Sequence, residues 1–178
     1  MAGNVYLVGM MGAGKTTLGK ALAQRMGQEF VDTDRLLVER TGVAVATIFE
    51  IEGEDGFRRR ESALIAELAQ RAGCVVATGG GAVLCDENRR LMRASGTVVY
   101  LRARLENLWE RTRNDTTRPL LATPDPQATL AALLDKRDPL YREAAHIVVE
   151  TSSQNASALV GRVAAAVREH REGQREAP

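Results

Sequence analysis

Disulfide chemistry has little to work with in this chain. Its 178 residues hold two cysteines, Cys74 and Cys85, without a C-x-x-C pair or a histidine cluster beside them. That argues against a disulfide framework or a zinc site and reads as core thiols in a reducing cytoplasm. No apolar run approaches the ~18 residues of a membrane span, and Met1-Ala2-Gly3-Asn4 leads into the first strand candidate without a signal peptide. Excess charge of one sign is missing too. The formal net charge is +1, and runs such as Arg58-Arg59-Arg60 sit among acids, so neither nucleic acid nor an anionic membrane finds a footprint. With no repeat and no long apolar seam asking for a partner, the expectation is a cytoplasmic monomer. Bulk is not lacking: 44% apolar residues over this length fill one α/β core without staples. The expected domain spans 1–170, with a frayed tail over 171–178.

What the chain does have starts at Gly9-Met10-Met11-Gly12-Ala13-Gly14-Lys15-Thr16, a G-x-x-x-x-G-K-[ST] run after the apolar Val5-Tyr6-Leu7-Val8. Glycines let successive backbone N–H groups turn inward around a polyphosphate, Lys15 adds a point charge, and the Thr16 hydroxyl suits Mg²⁺. Leu18, Ala21, Leu22 and Met26 recur at helical spacing behind it. Gly12, Ala13, Gly14, Lys15, Thr16 and Thr17 are therefore the expected contacts to a nucleoside triphosphate.

Five short runs read as buried parallel strands: Val5 to Val8, Glu29 to Asp32, Cys74 to Ala77, Thr97 to Leu101 and His146 to Glu150. Helical patterns between them predict right-handed crossovers and a doubly wound sheet, whose crevice lies at the carboxyl ends of the strands. Polar residues gather there: the phosphate loop, Asp32-Thr33-Asp34, Gly79-Gly80-Gly81 and Thr151 to Asn155. Two stretches break the alternation. A helical block from about Arg35 to Ala72 is longer than one crossover needs and can overhang the crevice as a substrate-binding insertion, about 33–61. The polar stretch Thr112 to Pro119, with Arg111, Arg113 and Arg118, reads as a lid, about 112–125.

Strand three ends in Thr78 and glycines, so the acid for a metal comes from strand two. Asp32 is assigned to the Mg²⁺ shell. Asp34, two positions on and on the same side if the extended chain continues, is assigned to the acceptor hydroxyl and its proton. Asp34 or Thr33 also suits a helix N-cap. On the helix from about Phe57 to Ala72, Arg58 and Glu61 extend the apolar stripe of Ile65, Leu68 and Ala72, which puts Arg58 over the crevice with Glu61 as its i,i+3 partner. The triple glycine is costly unless a left-handed turn or a close approach to ligand requires it, and its N–H groups suit substrate contact. Asp86 is the expected cap of the next helix. Pro139 should end or kink a helix that begins near Pro126, aiming Arg137 for a bidentate grip. Trp109 and Phe49 read as packing residues, His146 and His170 as structural or solvent-facing.

The loop Gly9 to Thr17, Asp32-Thr33-Asp34, Phe57-Arg58 with Glu61, Gly79-Gly80-Gly81, Arg118-Pro119-Leu120-Leu121, and Arg137 with Pro139-Leu140-Tyr141 together resemble the shikimate kinase family over nearly the whole chain. The resemblance implies a fold like nucleoside monophosphate kinases, strand order 2-3-1-4-5, and transfer of the ATP γ-phosphoryl group to the 3-hydroxyl of shikimate. It implies that Asp34, Arg58, Gly80 and Arg137 bind shikimate, with Gly79 and Gly81 beside them, that Thr16 and Asp32 serve Mg²⁺, and that Arg118 reaches the phosphates. Arg111 and Gln154 look like the adenine pocket, although Gln154 and Ala156 stand where members often carry Arg and Pro. Alternatives on the same fold are a gluconate-type or nucleotide-type kinase, and a nucleotide-gated regulator without turnover.

Overall fold

The computed structural model describes residues 3–151 and 155–176. In chain order its elements are β1 (Asn4–Val8), α1 (Lys15–Met26), β2 (Glu29–Asp32), α2 (Thr33–Thr41), α3 (Val45–Ala69), β3 (Cys74–Ala77), α4 (Asp86–Ser95), β4 (Gly96–Arg102), α5 (Leu105–Thr112), α6 (Pro126–Ala144), β5 (Ile147–Glu150) and α7 (Ala156–Glu176). The strands form one parallel sheet in the order β2-β3-β1-β4-β5. All five residues of β1 are fully buried, because α1 and α7 cover one face of the sheet while α3, α4 and α6 cover the other. Such a strand carries apolar side chains on both faces, which is why it reads as an uninterrupted run. Its one polar member, Asn4, is satisfied: Nδ2 donates to the carbonyls of Leu68 and Arg71 at 2.9 and 3.0 Å, and Oδ1 accepts from Cys74 N–H at 3.0 Å.

The long block between β2 and β3 is two helices, and the second is interrupted at Gly53, whose φ of 69° and ψ of −179° no helix holds. Asp32, not Asp34 or Thr33, caps α2: its extended backbone puts Oδ1 3.2 Å from the Arg35 N–H. Cys85 takes the cap position of α4, and Asp86 is already helical in the first turn, pairing with Arg89 at 2.6 Å. Helix α6 does not end at Pro139 but runs on to Ala144, its inner face held by buried Leu130, Arg137, Tyr141 and Ala144. Packing against the sheet outweighs the one lost backbone hydrogen bond there. The tail expected beyond His170 is instead the last part of α7, which continues to Glu176 and is tied back where Arg171 Nη2 donates to the Gly3 carbonyl at 2.5 Å.

Candidate active site

The phosphate loop leaves β1 and turns through Gly9, Gly12 and Gly14, all at positive φ, into the N-terminus of α1. Lys15 folds back across it, its Nζ donating to the carbonyls of Gly9 (2.7 Å) and Met10 (2.8 Å). Burial pushes the Lys15 ammonium down to about 8, and the Asp34 carboxylate opposes that shift. Thr16 Oγ1 donates to Asp32 Oδ2 at 2.6 Å, so the hydroxyl and carboxylate expected at a metal already face each other. Arg111 Nη1 donates to the Gly12 carbonyl at 3.0 Å.

Across the same cleft stand the acceptor candidates. Asp34 arrives from the first turn of α2, since the extended chain stops at Asp32. Burial and the neighbouring Asp32 raise its pKa, against Lys15, Arg118 and Arg58. Arg58 Nη1 donates to Glu61 Oε2 at 2.7 Å, and Glu61 is fully buried. Neither glycine beside them has room for a side chain. A Cβ on Gly79 would run into Glu61 Oε1, and one on Gly81 into the Arg58 guanidinium. None of Gly79, Gly80 and Gly81 has positive φ, so close approach rather than a left-handed turn explains the run. Arg137 is 2% exposed. Its Nε, Asp34 Oδ1 and Glu61 Oε1 are buried without a hydrogen-bond partner. Buried groups left that way demand a partner, and all three side chains stand around Gly79 and Gly80.

The polar turn from Thr116 to Leu120 lines the third side. Arg118 Nε donates to Asp115 Oδ2 at 2.8 Å, and the guanidinium is near enough to lower the pKa of both Lys15 and Asp34. One cleft of about 850 Å³ is thus lined by Gly12, Gly14, Lys15, Thr16 and Thr17, by Asp32, Asp34 and Arg58, by Gly79 to Gly81, and by Arg111, Arg118 and Arg137. A lysine and a helix N-terminus gathered in one cleft with two arginines and a carboxylate suit a polyphosphate beside a small organic acid.

The shikimate kinase family model matches residues 11–168. The chain belongs to this family. It is 55% identical to the shikimate kinase of Chromobacterium violaceum, over 92% of this chain and 89% of that one, and 56% identical to that of Nitrosospira multiformis, over 86% and 78%. Among solved structures, a shikimate kinase from Acinetobacter baumannii in complex with shikimate superposes with a TM-score of 0.92 at 44% identity, covering 95% of this chain and 94% of that one.

Of the residues expected at this family's site, two do not appear as expected. Ala13 is buried and its N–H is taken by the Met10 carbonyl at 3.1 Å, so it supports the loop without lining the cleft. The Gly79 N–H donates to Thr33 Oγ1 at 3.0 Å and is not available to a ligand. Gln154 lies outside the described residues. Sequence reasoning missed the apolar wall of Val45, Phe49, Phe57 and Leu120. Phe49, assigned to packing alone, does pack on Phe57 at 4.8 Å between ring centroids, and it lines the cleft as well. No signal at its position separates those two uses.

Proposed function

We propose that this enzyme transfers the γ-phosphoryl group of ATP to the 3-hydroxyl of shikimate, giving shikimate 3-phosphate, with the residues of the cleft divided as follows. The observation that carries the acceptor assignment is the unpartnered, buried Arg137 Nε, on a side chain that lines the cleft together with Arg58. Two guanidiniums in a partly dry site suit a carboxylate held bidentately. Asp34 orients the hydroxyl and takes its proton, a role that its raised pKa favours. Lys15 and Arg118 meet the phosphoryl oxygens, and the N–H groups at the start of α1 hold the inner phosphates.

The Thr16 hydroxyl and Asp32 carboxylate, 2.6 Å apart at the rim, are the hard oxygen donors that Mg²⁺ takes. Among the described residues no three His, Cys, Asp or Glu side chains converge, so Thr16 and Asp32 are the protein groups that would hold the ion. An ion held by these two residues would supply positive charge to offset that of the transferred phosphoryl group. Arg111 and Gln154 are assigned to the adenine side. One kinase domain spans 1–170, with 33–61 as the acceptor-binding insertion and 112–125 as the lid that excludes water. A cytoplasmic monomer that binds neither nucleic acid nor membrane completes the reading. The near-neutral charge and two free thiols support it, and among the described residues no helix is long and apolar enough to cross a membrane.

Parallel assays with shikimate, gluconate and AMP test the activity: phosphorylation of shikimate alone is expected, and turnover of either other acceptor in its place overturns the assignment. Arg58→Ala and Arg137→Ala should each raise the shikimate KM by roughly 10²-fold with the ATP KM little changed. Normal acceptor saturation in both would remove the arginines from the site.

A further inference from the structure

Tyr141 belongs to no part of the machinery above, yet its hydroxyl sits at the junction of three of its pieces. The residue is fully buried on α6, one turn beyond Arg137, with its ring stacked on Tyr100 at 4.9 Å. Its hydroxyl donates to the Gly80 carbonyl at 2.5 Å, and the Met10 sulfur of the phosphate loop lies 3.5 Å away. Arg137 stands close enough to the phenol to work against the rise in pKa that burial causes. Gly80 itself lies against that loop and Arg137: a Cβ there would meet Arg137 Nη1 at 3.4 Å and the Gly9 carbonyl and Met11 N–H at 3.5 Å.

A trans peptide plane carries its carbonyl and the next N–H on opposite sides, and the protein has no cis bonds among the described residues. With the Gly80 carbonyl drawn back onto α6, the Gly81 N–H points the other way, toward the cleft that Gly81 lines. No acceptor for that N–H is seen among the described residues. Were the plane to turn over, a carbonyl oxygen would face the end of the cleft assigned to an anion.

We propose that Tyr141 is a positioning residue for the acceptor's carboxylate: its hydroxyl fixes the Gly80–Gly81 peptide so that an N–H dipole, not an oxygen, meets the acid between Arg58 and Arg137. This rests on the acceptor reading given above and adds a residue to it. Removing the hydroxyl leaves a buried carbonyl unsatisfied, which favours rotation or hydration of the plane.

Tyr141→Phe keeps the ring and its stack. Its shikimate KM should rise roughly tenfold, with the ATP KM and melting temperature close to wild type. Tyr100→Phe removes a hydroxyl from the stacked neighbour, where it donates to Asp138 at 2.7 Å, and should leave the shikimate KM unmoved. With the carboxamide analogue of shikimate, the KM ratio between Tyr141→Phe and wild type should fall to near one, which a general loosening of the core would not produce. In the wild-type protein the Gly81 amide resonance should shift on titration with shikimate. An unchanged shikimate KM in Tyr141→Phe, an equal rise in both KM values, an equal rise in Tyr100→Phe, or a Gly81 amide that stays put overturns the proposal. A wild-type enzyme that fails to phosphorylate shikimate overturns the underlying reading instead.

Discussion

Arg118 and Lys15 both carry positive charge toward the same cleft, but their surroundings give them different work. Arg118 is held through Nε by Asp115, which leaves its outer fork for a ligand, and its side chain is 40% exposed on a short polar turn. On the proposed reading of that turn as a lid, Arg118 would meet the reacting phosphoryl, and Arg118→Ala should lower kcat by roughly 10²–10³-fold while ATP affinity changes little. Unchanged turnover with weakened ATP binding would assign it to the ground state. Lys15 is set in the loop itself, where burial takes its ammonium from the ordinary 10.5 to about 8. The protonated form binds phosphate, and phosphate in turn raises the pKa. ATP affinity is therefore full below about pH 8 and falls as pH rises through it, by up to about tenfold per unit until the bound-state pKa is reached. Calorimetric ATP titrations from about pH 7 to about pH 9 check this, and a flat profile would contradict it.

At the level of elements, legibility followed burial. The five strands stand within a residue or so of where their apolar runs lie, because a parallel strand covered on both faces leaves no polar interruption to blur it. Their order came from family resemblance and not from periodicity, which carries no information on sheet neighbours. Arg58 was legible because Glu61 continues a helical stripe; Asp34 reached its place by a different route, a helical first turn instead of an extended one. The uninterrupted α6 and the continuation of α7 to Glu176 were hidden because tertiary contacts decide them, whereas the cap moved to Asp32 because the extended chain stops there. His146 shows what such packing builds. Its Nδ1 accepts the Val98 N–H at 3.0 Å where a strand carbonyl would otherwise sit, and its ring lies 4.7 Å from that of His170 on α7. Burial, with Arg93 and His170 nearby, holds the ring from the ordinary 6.5 down to about 4. Between those values the unfolded chain takes up a proton that the native ring refuses. Stability is thus retained above about 6.5 and declines as pH falls toward about 4. Urea midpoints measured across that window should drop for wild type and flatten for His146→Asn.

As a whole molecule, the enzyme draws its cleft from the loop after β1 and from α1, α2, α3, the turn after β3, the turn before α6, and α6 itself. Ligands that join such distant segments report on stability directly. Saturating an ATP analogue or shikimate at about a hundred times Kd adds about 2.7 kcal/mol each, several degrees of melting temperature in a domain of this size. Arg137→Ala should lose the shikimate increment and keep the nucleotide one. A variant that retains both would show that the acid is held elsewhere.

Strand order also dictates a timetable. β1 lies at the centre of the sheet, between β3 and β4, so on the ribosome it waits without either of these neighbours until Cys74–Ala77 has emerged. Its exposed edges are then open to pairing with other nascent chains. Gly9 to Thr16 are synthesised well before Cys74–Ala77, yet they become a cradle only once that later strand has arrived to hold them open.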